Sequence, residues 1–118
     1  MILNAGTVVA LGASEREEEP MPMVIIAGHV EVATADRDRY VTAHQDLVRR
    51  ARQAPGCLDL AITADALDPT RVNNFDRWQS MAHLDAWRAV AHAPDTGITV
   101  RSDDVMMYVV SDVRLPFG

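Results

Sequence analysis

Two patterns place chemistry-bearing side chains at spacings that matter. Tyr40 and His44 stand one helical turn apart, on an apolar stripe continued by Leu47, Val48 and Ala51, so both rings project from one side of a helix. They either line a cavity between that helix and a sheet or belong to a core with their polar tips at its edge. Asn73 and Asn74 fall in the middle of a strand-like run from Val72 to Gln79, where asparagine is disfavoured. An amide held against its propensity points to a use. Asn74 shares its alternation with Asp76 and Trp78, so a cavity that takes Trp78 takes Asn74 as well. The Asn74 amide would then hold a substrate oxygen; otherwise one amide of the pair faces solvent and the other satisfies an edge. Trp78 packs in a core or offers its indole N–H to a ligand.

Composition removes several alternatives. The chain has 118 residues with 17 acids and 11 bases, a net charge of −6, which argues against a protein that tracks nucleic-acid phosphates or clings to an anionic membrane. All 11 bases are arginine, so Schiff-base and lysine-base chemistry are absent. The single Cys57 rules out an internal disulfide and a thiolate zinc site, and it has no basic neighbour to activate it. No histidine–carboxylate spacing suggests a metal site. There is no glycine-rich phosphate loop and no nucleophile elbow. No apolar run reaches the roughly 20 residues that span a bilayer.

The elements that must position these groups can be read from periodicity. Val24, Ile26, Gly28, Val30 and Val32 alternate with Ile25, Ala27, His29 and Glu31, a strand. A helix follows from a Thr34 cap to about Ala51 and stops at Pro55-Gly56. Cys57 to about Ala64 and Val72 to Gln79 form a hairpin across the turn residues Asp65 to Thr70. Ser80 caps a second helix, Met81 to about His92, and Val105 to Val113 is the last strand. The order βαββαβ predicts an α+β, ferredoxin-like fold: a four-stranded antiparallel sheet with two helices on one face. Two helices cover one face only, while the first and last strands are apolar on both. A homodimer packed through the sheet face would cover the rest.

Four segments carry a family resemblance. Pro55-Gly56-Cys57-Leu58, Asp68-Pro69, Arg77-Trp78-Gln79-Ser80 and Ala82-His83-Leu84-Asp85-Ala86-Trp87 resemble the antibiotic biosynthesis monooxygenase family, over about residues 23 to 113. The resemblance implies a dimeric α+β barrel with a cavity between helices and sheet. It also implies cofactor-independent oxidation by O2 of an aromatic, polyketide or quinol-like metabolite, whose phenolate or enolate itself passes an electron to O2. On that reading His29, Asn74 and Trp78 carry the chemistry, and Tyr40, His44, Trp87 and Tyr108 bind substrate. His29 falls where haem-degrading relatives carry a polar, cavity-facing asparagine; its alternative place is the dimer interface, as it is for Tyr108. Haem is the less favoured cofactor. Trp87 stands where many members show a histidine, leaving His83 and His92 as weak axial ligands. A non-catalytic ligand-binding or regulatory dimer is the rival reading.

Residues 1–22 read as an N-terminal extension and acidic linker, and 23–118 as the domain. Glu15-Arg16-Glu17-Glu18-Glu19 gives the extension half of the net negative charge, and Thr7 to Leu11 is either an extra strand or no part of the fold. Without a basic segment before its apolar start, the extension is a poor secretion signal, so the expected location is the cytoplasm.

Overall fold

A computed structural model describes residues 22–117. The expected extension and its strand lie outside the described residues, Pro22 excepted. Strand β1 (Val24–Glu31) leads through a 3-10 turn (Thr34–Asp36) into α1 (Arg37–Ala43) and α2 (Gln45–Ala51). Then come β2 (Cys57–Ala64), β3 (Arg71–Trp78), α3 (Met81–Arg88) and β4 (Ser102–Val109). The sheet has four antiparallel strands in the order β2-β3-β1-β4, the arrangement expected for the βαββαβ order. Among the described residues no helix is long and apolar enough to cross a membrane.

The first helix is not continuous. The Nδ1–H of His44 donates to the Tyr40 carbonyl at 2.7 Å, the acceptor that the His44 amide would use in an unbroken α-helix. That amide turns instead to the Val41 carbonyl at 3.1 Å. A side chain competing for a backbone acceptor is a recognised cause of a helix break, and the axis resumes at Gln45. Thr34 makes no side-chain cap, contrary to the expectation. Ser80 does cap α3, its Oγ accepting from the His83 amide at 3.2 Å. That helix ends four residues earlier than expected, at Arg88; His92 has a positive φ of 49°. The last strand likewise begins three residues earlier than expected, at Ser102.

Two apolar clusters join helices to sheet. Val24, Ala51, Leu60, Trp78, Leu84 and Trp87 form the larger. Val30, Val32 and Val72 form the smaller, with Tyr40 and Ile98 packed on it. Both lie on β1–β3, under the helices. Met107 and Val109 of β4, on the same face, stay largely exposed, so the helices leave that edge open.

Gly28 is where β1 meets β4 most closely. Its φ is 151°, and a Cβ there would run into the Asp104 carbonyl oxygen and the Val105 Cα. Gly28→Ala should therefore destabilise the fold by about 1–3 kcal/mol, measurable by urea denaturation, with amide exchange rising first across Ser102–Val109.

Candidate functional site

The register arranges the helix-facing side of the sheet in rows. Ile62, Asn74, Gly28 and Val105 form one row; Leu60, Asp76, Ile26 and Met107 form the next. Trp78 and Val24 follow, fully buried. The alternation of β3 thus brings an amide and a carboxylate into a surface that is otherwise apolar.

Asn74 Oδ1 is buried and has no hydrogen-bond partner among the described residues. A buried acceptor without a donor costs about 1–3 kcal/mol, so the position is maintained against its own energetics. Asp76, one residue pair further along the strand, accepts from Trp78 Nε1–H at 3.0 Å. Burial pushes the Asp76 carboxyl above its ordinary value, against the opposing effects of the Trp78 N–H and the Arg88 charge. Trp78 is itself fixed by Trp87, stacked at 6.2 Å between centroids, and Arg50 lies over the Trp87 ring at 5.7 Å. The carboxylate is therefore held by a donor that the core immobilises.

The helical side supplies His44 and Tyr40. Tyr40 packs on the Val30–Val32–Val72 cluster, while Leu47 and Val48 pack on the Val24–Trp78 cluster. His44 lies between them in the chain and is buried. Because a carbonyl can only accept, the Tyr40 contact puts the ring proton on Nδ1 and the lone pair on Nε2. The Tyr40 ring lies 4.4 Å from that of His44. Burial, and then the charge of Asp103, raise the Tyr40 hydroxyl above its ordinary value, so it stays protonated as a donor.

Of the residues expected from sequence, the fold gathers Asn74, Trp78, Tyr40 and His44 between helices and sheet. His29 and Tyr108 are not among them, which corrects the cavity-lining expectation for both. His29 pairs with Asn73 and Asp104, and Tyr108 with Ile25, on the face turned away from the helices, because strand parity separates them from Asn74 by one residue. Trp87 is core, buttressing Trp78. Asp76 was not singled out by sequence reasoning, although its parity with Asn74 and Trp78 was visible; burial, which marks it out, was not.

The two histidines considered from sequence as haem ligands lie on α3 and just after it. His83 Nδ1 is 2.8 Å from Ser80 Oγ, and its ring borders a small apolar hollow with Pro55, Ala86 and Val90; His92 is exposed on the loop after α3. Among the described residues no group of three or more His, Cys, Asp or Glu could hold a metal ion. Burial, followed by the charge of Asp76, raises the Cys57 thiol, which agrees with an unreactive strand cysteine.

Comparison with known proteins yields a family model, antibiotic biosynthesis monooxygenase, that matches residues 23–96. Similar solved structures include a protein of Deinococcus radiodurans (TM-score 0.65, 16% identity, 80% of this chain and 99% of that one) and one of Nitrosomonas europaea (0.64, 17%, 80% and 95%). A third, from Chloroflexus aurantiacus, gives 0.61 and 20% over 78% and 96%. All three are provisionally described as antibiotic biosynthesis monooxygenases. No curated protein matches the chain in sequence.

The raised Asp76 value carries a prediction. A carboxyl that holds its proton to higher pH in the native state than in the unfolded chain loses stability for the protein as pH rises from about 3.9, the ordinary aspartate value, through the native one. Asp76→Asn removes that dependence. In urea denaturation the variant should be more stable than the parent near neutral pH, and the gap should close as pH falls to the ordinary aspartate range.

Proposed function

Because the chain belongs to the antibiotic biosynthesis monooxygenase family, we propose that it is a cofactor-independent monooxygenase acting between helices and sheet on a phenolic or enolisable aromatic metabolite. The observation that carries this reading is the orphaned Asn74 Oδ1 beside the half-buried Asp76. Two acceptors about 7 Å apart along one strand suit a ring that presents a hydroxyl to Asn74 and an acidic proton to Asp76. The apolar neighbours Ile26, Val105 and Met107 suit its body.

The chemistry then needs little from the protein. Asp76 takes a proton from a doubly activated methylene, and the resulting carbanion, delocalised into the phenolate, gives one electron to O2. Radical and superoxide couple at carbon, and the Asp76 proton returns to the peroxide. Loss of the remaining C–H proton with cleavage of O–O leaves a carbonyl and water. One oxygen atom enters the product, the other leaves as water, and the methylene is oxidised by four electrons. The Tyr40 hydroxyl lies on the helical side, where it can donate to the ring oxygen as charge develops, while the His44 Nε2 lone pair can only accept, for example from a substrate hydroxyl.

The same proposal includes a homodimer. The sheet face away from the helices carries Ile25, Ala27, Phe75, Met106 and Tyr108, with Met106 and Tyr108 more than half exposed. A second copy placed against this face buries them.

Two outcomes check this reading. The metal-free protein should consume O2 with an anthrone-type substrate, and Asp76→Asn should slow turnover by about 10²–10⁴-fold, the share usual for a general base. Tight binding of that substrate with no O2 uptake would favour the ligand-binding rival. In sedimentation velocity the parent should run as a dimer at micromolar concentration and Phe75→Glu as a monomer.

A further inference from the structure

A second concavity opens beside the Asn74–Asp76 rows, where the first helical pair meets the edge strand β2. It encloses about 600 Å³ and is lined by Val41, Val48, Ala61 and Ile62 as an apolar floor, with Gln45, Arg49, Arg52 and Gln53 on its rim and Thr63 beside them. Its volume is in the range of small-molecule sites. Among the described residues no carboxylate lines it, although the chain carries a net charge of −6.

The two arginines are placed for use. Arg52 Nε donates to the Leu60 carbonyl at 2.8 Å, which anchors the side chain against the strand edge and leaves its terminal nitrogens free of any partner among the described residues. Arg49 shares Asp46 with Arg50, but Arg50 holds that carboxylate at 2.8 Å and Arg49 only at 3.5 Å. Both guanidinium groups therefore keep unspent donors beside an apolar floor. A planar fork of N–H groups matches a carboxylate or sulfonate in two-point fashion, and the glutamine amides add neutral donors.

We propose that this groove is a binding site, distinct from the Asn74–Asp76 site, for an amphipathic organic anion: an aromatic body on Val41, Val48 and Ile62, with its carboxylate between Arg49 and Arg52. The proposal does not depend on the oxygenase reading. The site shares a wall with the first one, since Ile62 is the β2 partner of Asn74, so an occupant here would press on the same strand pair.

The test uses 2-naphthoate as probe and 2-naphthamide as its uncharged counterpart, followed by amide NMR on the full chain. The expected result is that 2-naphthoate shifts the Ala61, Ile62 and Thr63 amides and the Gln45 and Gln53 side-chain signals, with affinity that falls as salt rises. Arg49→Gln should weaken binding about tenfold, in keeping with loss of one charge-assisted contact. Its side chain is largely solvent-exposed, so the variant leaves the fold intact; Arg52→Gln should weaken binding as well but also loosens the β2 edge. Shifts centred on Asn74 and the Trp78 indole, equal affinity for 2-naphthamide, undiminished binding by Arg49→Gln, or no shift at millimolar probe would each overturn the assignment.

Discussion

The hydrogen bond from the Trp78 indole to the Asp76 carboxylate is the interaction on which the rest of the site depends. Trp78 is fully buried, packed with Leu60, Leu84 and Val24 and stacked on Trp87. Its ring cannot turn without opening the larger core. The donor is therefore fixed before any ligand arrives, and Asp76 is held in a partly desolvated position that would otherwise be unfavourable for a charge. One residue thereby serves stability and chemistry together: its carbon surface closes the core and its single polar atom orients the carboxylate. Asn74 completes the arrangement from the other side, with a buried oxygen that nothing among the described residues satisfies.

A second constraint is coverage. Two short helical units and one further helix span β1 to β3 but leave β4 open, so the polar pair on β3 is sealed on one side by core and bordered on the other by Ile26, Gly28, Val105 and Met107. Gly28 links these facts. It allows close approach of the Asp104 and Val105 backbone, which fills the place a side chain would take. The break at His44 belongs to the same economy, because the imidazole that interrupts the helix is itself buried, with its Nε2 lone pair left unused by the backbone contact.

Much of this was legible in the chain. Strand alternation and helical stripes predict all four strands, their pairing and the two helical regions, because each face is either buried or not and the pattern must follow. Ser80 was readable as a cap, and the parity of Asn74 with Trp78 as a shared face. What was not legible depends on competition or depth. Nothing local announces that the His44 ring will take the Tyr40 carbonyl, nor that α3 will stop at Arg88. His29 shows the limit of position by resemblance: its strand was right, but alternation sends its side chain to the face opposite Asn74. Asp76 was passed over because a carboxylate reads as solvated until the packing around it is known.

The central claim is that Asp76 is a half-buried carboxylate whose protonation is coupled to the Trp78 indole. Its most direct test is a carboxyl 13C NMR titration of Asp76, read together with the Trp78 indole 15N signal. The account predicts that both signals titrate with one midpoint, above the ordinary aspartate value of about 3.9. An Asp76 midpoint at or below that value, or an indole signal indifferent to it, would contradict the account.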